Sequence, residues 1–155
     1  VPSKFTIEYS AIRDTVVCDD LEIKILSAVV EDIDNEDARG LGGKVEWLYV
    51  IVEADLKNIS NKTLSAARFI ESPIGIKYSD YRTNEGEFDR QKLKSLKPGE
   101  NINVKLKYSI HKLDYENNKE IYMYLPNKLY DKQLMNKFTT GTRYGKAIKI
   151  LIGGE

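Results

Sequence analysis

Trp47-Leu48-Tyr49-Val50-Ile51-Val52-Glu53-Ala54-Asp55-Leu56 is the stretch on which the fold turns. Positions 48, 50, 52, 54 and 56 are all apolar, while on the other side Trp47, Tyr49 and Ile51 give way to Glu53 and Asp55. Side chains alternate between faces along an extended chain, so the pattern predicts a long strand with one buried and one half-covered face. Asn58-Ile59-Ser60-Asn61-Lys62 ends it with turn formers. Leu48, Val50, Val52 and Leu56 are therefore expected in the core.

The same period returns downstream. After Lys97-Pro98-Gly99-Glu100, the residues Ile102, Val104, Leu106, Tyr108 and Ile110 alternate with Asn103, Lys105, Lys107 and Ser109. Pro98-Gly99 suits the two central positions of a type II turn, where glycine takes the positive φ. The strand beyond it faces a core on one side and water on the other, which adds Ile102, Val104 and Leu106 to the expected core. Shorter alternating segments lie at 21–25, 121–125 and 148–152, and further short strands are predicted at 5–9, 15–18, 64–70 and 74–78. Tyr130, Leu134 and Phe138 fall at helical spacing after Asn127 and predict a short helix over 128–137. Leu93 and Leu96 suggest a single helical turn, and the polar 31–43 segment reads as a long loop. Runs of strands without crossover helices point to an all-β fold, an antiparallel sandwich of seven to nine strands with at most one short helix. Residues 1–155 read as one domain.

Composition narrows the function classes. Leu, Ile, Val and Phe supply 43 of 155 residues, enough for a core. The 24 basic and 24 acidic side chains cancel, which argues against a nucleic-acid partner. No apolar run approaches the ~18 residues of a membrane span. A lone Cys18 leaves neither an internal disulfide nor a cysteine zinc site. Val1 stands where an initiator Met would, which leads us to expect a processed chain.

Candidate chemistry is sparse. Nucleophilic triads need a base beside the nucleophile, and the one histidine, His111, reads as a surface imidazole at a strand end. Cys18, next to Val16 and Val17, reads as a buried inert thiol. The acidic run Glu31-Asp32-Ile33-Asp34-Asn35-Glu36-Asp37 invites a metal test. An EF-hand loop starting at Asp32 needs Gly at its sixth position and Glu at its twelfth, and this chain has Asp37 and Gly43. A solvated loop is the preferred reading. An irregular site on Asp32, Asp34 and Glu36 is the alternative, and with it a carboxylate- or metal-dependent hydrolase. No catalytic residue and no cofactor are expected. Asn58-Ile59-Ser60 and Asn61-Lys62-Thr63 match the glycosylation sequon by chance in an Asn-rich chain.

The run from Trp47 to Ser60, with its Lys57-Asn58-Ile59-Ser60 ending, resembles a recurring stretch of the telokin-like, immunoglobulin-like domains of secreted Gram-positive bacterial proteins and lipoproteins. Leu96-Lys97-Pro98-Gly99-Glu100 and the strand after it look like that group's second element, and Leu21-Glu22-Ile23-Lys24-Ile25 like its opening strand. The resemblance covers about residues 15–125 and leaves 126–155 as a C-terminal extension. It implies an immunoglobulin-like sandwich, export, an extracellular or cell-surface location and often an upstream lipid anchor. It brings no catalytic residues to carry over.

The resulting expectation is a non-enzymatic extracellular binding or accessory domain with a protein or cell-surface ligand. An intracellular inhibitor or immunity-type protein is a further alternative. The expected partner surface combines Tyr122 and Tyr124 with Lys105 and Lys107, should their strands share a sheet, with Tyr130 and Tyr144 at its margin. The competing reading is that these tyrosines pack across to neighbouring strands or beneath residues 126–155.

Overall fold

The structure is a computed structural model that describes residues 5–18, 20–32, 46–76, 79–125 and 143–151. Among these residues, ten strands form two sheets of five. The first is ordered β1 (Phe5–Ala11), β10 (Arg143–Leu151), β9 (Ile121–Leu125), β5 (Ile74–Ile76) and β6 (Ser79–Tyr81). The second is ordered β2 (Thr15–Cys18), β3 (Leu21–Asp32), β4 (Trp47–Asn58), β8 (Asn101–His111) and β7 (Thr83–Glu87). Every pairing is antiparallel except that of β1 with β10. Parallel neighbours need a long crossover, and here almost the whole domain lies between the two strands.

The expected core is the observed one. Val50, Val52, Ala54 and Leu56 on β4 and Val104, Leu106, Tyr108 and Ile110 on β8 are fully buried. They pack with Ile74, Ile121, Met123 and Ile148 from the first sheet, as inner faces of a sandwich do. Tyr108 is accommodated because its hydroxyl donates to the Ser72 carbonyl at 2.7 Å.

β3 is seven residues longer than its readable alternation. Ile23 and Ile25 face inward, but the register shifts between Ile25 and Ser27, and beyond it Ala28 and Val30 stand opposite the inward-facing Val52 and Val50. The extra residue, Leu26, is a β-bulge that switches the inward positions from odd to even and breaks the pattern in the sequence. The strand then runs through Glu31, opposite Tyr49, and Asp32, opposite Leu48, so the acidic run begins in regular structure rather than in a loop. Asp34, Glu36 and the rest of 33–43 lie outside the described residues.

Three expectations need correction. Residues 64–70 do not form a strand: Leu64 makes one bridge to Leu96, and Ala67–Glu71 is a 3-10 turn. Their backbone bonds go to the helical segment instead, with Leu64 N–H to Leu96 at 2.9 Å and Ala66 N–H to Leu93 at 2.8 Å. Among the described residues the strands number ten because β6 and β7, polar edge strands, carry no apolar alternation to betray them. Short helices number two among the described residues rather than at most one. α1 (Arg90–Lys94) is the expected turn, capped by the Asp89 carboxylate on Lys92 N–H at 3.0 Å. α2 (Lys112–Asn117) buries no residue and so leaves no periodic signal. The predicted helix over 128–137 lies outside the described residues. Among those described, no helix is long and apolar enough to cross a membrane.

Candidate functional site

The two halves of the expected partner surface stand on different sheets. Tyr122 and Tyr124 belong to β9, Lys105 and Lys107 to β8, and these strands are not neighbours. One continuous patch of all four is therefore not formed, because both strands place their apolar residues inward and their polar residues on opposite outer faces.

On the outer face of the first sheet, the parallel pairing of β1 with β10 adds a residue that sequence reasoning missed. Tyr9 stands opposite Ala147, which in turn stands opposite Tyr124. The rings of Tyr9 and Tyr122 meet edge to face, with centroids 5.2 Å apart. Lys149, opposite Tyr122, holds its ammonium 5.6 Å from that ring's centroid and 3.2 Å from the Glu120 carboxylate. Tyr9 is 58 % exposed and Tyr122 half-buried, but Tyr124 is buried at 9 %. Its ring lies over Gly75, where an added Cβ would come within 2.7 Å of Cε2, so glycine there is what lets the ring lie down. The exposed part of the face is thus Tyr9 with Tyr122. Tyr130 lies outside the described residues, and Tyr144 stands on β10 opposite Thr6.

On the outer face of the second sheet, Lys105 and Lys107 line a groove of about 440 Å³ that crosses β3, β4, β8 and β7. Lys107 is held on two sides, 3.1 Å from Glu85 and 4.4 Å from the Tyr49 ring centroid. The Glu85 hydrogen bond raises its pKa. Lys105 stands between Glu53 and Glu87 on the flanking strands.

His111 is not the plain surface imidazole expected of it. It is half-buried, with the Trp47 ring edge-on at 4.3 Å and the Tyr81 ring at 5.9 Å. The Tyr81 hydroxyl accepts from His111 N–H at 3.2 Å and donates to Asp114. Both capacities of that hydroxyl are used in tying β6 of one sheet to β8 and α2 of the other, so the cluster closes one end of the sandwich. Cys18 is buried, as expected. Among the described residues, no group of three or more His, Cys, Asp or Glu side chains stands ready for a metal ion.

The two motifs behind the family resemblance meet in space. Asn58, fully buried, donates from Nδ2 to Leu96 O at 2.8 Å and Lys62 O at 2.7 Å. Its Oδ1 accepts from Ser60 N–H at 2.8 Å and Ser60 Oγ at 2.7 Å. Its backbone N–H reaches Glu100 O, and Gly99 N–H reaches Asn58 O. Gly99 has φ +78°, Glu100 N–H closes the turn on Lys97 O at 2.9 Å, and the Glu100 carboxylate accepts from Lys97 N–H at 3.0 Å. Lys-Asn-x-Ser and Leu-x-Pro-Gly-Glu are thus two parts of one junction, where β4 ends and β8 begins. Their hydrogen bonds build the architecture of that junction. The Asn58 amide is also unavailable to a glycosyl group in the folded domain.

Several phenols are held neutral. Burial, reinforced by the hydrogen bond to Asp114, pushes Tyr81 up to about 12, and burial with neighbouring Tyr9, Asp80 and Tyr122 pushes Tyr124 up to about 12, against an ordinary value of 10.0. Burial also raises Tyr108. A raised folded-state pKa means that their contribution is complete below pH 10 and is lost as pH climbs towards 12, because the unfolded chain ionises first. The melting temperature should therefore hold steady through mildly alkaline pH and fall above 10. Phenolate absorbance of the native protein should lag that of the urea-unfolded chain; coincident titration curves would contradict the buried hydroxyls.

No family model matches the chain, and no curated protein matches it. Its fold is similar to that of solved structures. An uncharacterised β-sandwich protein from Clostridium difficile superimposes with a TM-score of 0.58 at 13 % identity, over 94 % of this chain and 96 % of that one. A functionally unknown protein from Listeria monocytogenes gives 0.56 at 10 % identity, over 86 % and 82 %. A conserved hypothetical protein from Bacillus anthracis gives 0.53 at 16 % identity, over 90 % and 95 %. At these identities the shared property is the β-sandwich fold.

Proposed function

We propose that this protein is a non-enzymatic binding or accessory domain that recognises a protein or cell-surface ligand through the outer face of its first sheet. The observation that carries this reading is the Tyr9–Tyr122 edge-to-face pair, with Tyr9 58 % exposed on regular strand structure. Tyrosine offers large, rigid, amphipathic contact area at low entropy cost, and a ring seated on a strand is pre-organised for it. The Lys149–Glu120 pair at the margin adds both signs of charge for orientation. The likeness of the Asn58 and Pro98-Gly99 motifs to the immunoglobulin-like, telokin-like domains of secreted Gram-positive proteins and lipoproteins supports an extracellular setting, with attachment through an upstream lipid as its natural form.

The test pairs binding with stability. Labelled wild-type domain should bind intact bacterial cells saturably, and Tyr9→Ser with Tyr122→Ser should reduce that binding at least tenfold. The double variant should melt within a few degrees of wild type, since Tyr9 is exposed and Tyr122, though packed against the core, is half-buried on the outer face. Undiminished cell binding by the folded double variant would remove the face from consideration.

A further inference from the structure

We infer that the open edge of the first sheet, along β1, is where two copies of this chain pair, antiparallel and about a two-fold axis. Among the described residues β1 ends its sheet and has β10 as its one neighbour. Its pairing runs from Phe5 to Ala11 without a register shift. An edge of this kind is a template for another strand, and proteins blunt such edges with short strands, bulges, lysines or prolines. The other edges carry such devices: β2 has four residues, β6 three, and β7 a register shift between Thr83 and Glu85. β1 has seven residues, no Lys, Arg or Pro, and Glu8 as its one charged residue.

Local hydrogen bonds fix which backbone groups face outward. Ala11 N–H donates to Asp14 Oδ2 at 2.8 Å, and the Ala11 carbonyl accepts from Asp14 N–H at 3.1 Å. Both groups are thus turned away from β10. Backbone groups of alternate residues share one side of a strand, so Tyr9, Ile7 and Phe5 present theirs along the same edge. Asp14 closes the edge at Ala11, and nothing among the described residues closes it at Tyr9. Only an extended backbone repeats donors and acceptors at the spacing of this row. A second copy supplies one of equal length, and 24 basic against 24 acidic side chains leave no net charge to hold the copies apart. Exclusions set the register. A ladder centred on Tyr9 would need Ala11, which Asp14 occupies. One centred on Glu8 would set Glu8 opposite Glu8 of the second copy, like charge on like. Centring on Ile7 pairs Phe5 with Tyr9 and Thr6 with Glu8 across the axis, and it joins the first sheets of both copies into one.

Sedimentation equilibrium of the full chain, from low-micromolar to near-millimolar protein, is the test. The mass should rise with concentration from 17.7 kDa to twice that value and stop there. Tyr9→Pro removes the outward N–H and leaves the β10 ladder intact, a change that edge strands tolerate, and it should weaken pairing at least tenfold. Tyr9→Ser keeps that N–H and should pair as wild type does. The serine variant also lacks a ring of the tyrosine face, so loss of cell binding with pairing intact separates the two surfaces. Amide exchange reads the same seam without a substitution. The Tyr9 N–H should gain protection as concentration rises, while the Ser10 N–H, on the β10 side, stays protected throughout. A single-chain mass at every concentration, undiminished pairing by folded Tyr9→Pro, equal loss of pairing in Tyr9→Ser, or concentration-independent exchange at Tyr9 would each overturn the inference.

Discussion

Val52→Asp should abolish the cooperative thermal transition, while its neighbour Glu53→Ala melts like wild type. Val52 lies at the centre of β4, fully buried between β3 and β8, and opposite Leu106 and Ala28. A carboxylate there has no cation within the apolar inner face to pair with. Its desolvation costs several kcal/mol even after the group protonates or water penetrates. A domain of this size has only ~5–15 kcal/mol of stability in total, so the loss consumes most of it. Glu53 is one residue away but points to the opposite face, where it accepts from Asn103 Nδ2 at 3.1 Å and lies across from Lys105. Exposed interactions of that kind contribute ~0–1 kcal/mol. Circular dichroism melts of the pair measure the face assignment directly. Equal melting temperatures would mean that β4 is turned the other way.

Among the described residues, Asn58→Ala should be the most damaging truncation of a polar side chain, at about 3–5 kcal/mol from denaturant titration. The wild-type amide satisfies all four of its hydrogen-bonding positions within the protein. Removing it deletes four hydrogen bonds, each contributing ~0.5–1.5 kcal/mol: the buried Leu96 carbonyl keeps only the Leu64 N–H, and Ser60 N–H loses its acceptor. The loss also loosens the junction that aligns the end of β4 with the Pro98-Gly99 turn. Asn58→Asp separates the two halves of the network. It keeps an acceptor for Ser60 but turns a carboxylate towards two carbonyl oxygens, so it should be at least as destabilising as alanine. Asn61→Ala, three residues on and exposed, is the control and should change stability by less than ~0.5 kcal/mol. If Asn58→Ala behaves like Asn61→Ala, the junction contributes nothing to stability.

The sandwich class, the inward faces of β4 and β8, the Pro98-Gly99 turn and the α1 turn are legible along the chain alone. Each of these is written in contacts between neighbours in the chain: a period-two apolar pattern, a residue pair suited to a positive φ, two leucines one turn apart. What the chain alone does not disclose depends on which distant segments become adjacent. Leu26 looks like one more apolar residue in a strand, and only its pairing against β4 shows it to be the bulge that reverses the face of everything up to Asp32. β6 and β7 have no fully buried residue, and Tyr81 is the one large apolar side chain they pack against the core, so they carry no apolar alternation. The same limit governs function. Which side of a strand a tyrosine or lysine takes is a local property, legible for Tyr122, Tyr124, Lys105 and Lys107. Whether they share a surface is a matter of strand order, and the order puts them on opposite outer faces. Strand order likewise brought Tyr9, over a hundred residues earlier in the chain, to the side of Tyr122, and Asn58 to the carbonyl of Leu96. Period and propensity act over a few residues, whereas the order of strands is decided by how the whole apolar surface can be buried at once.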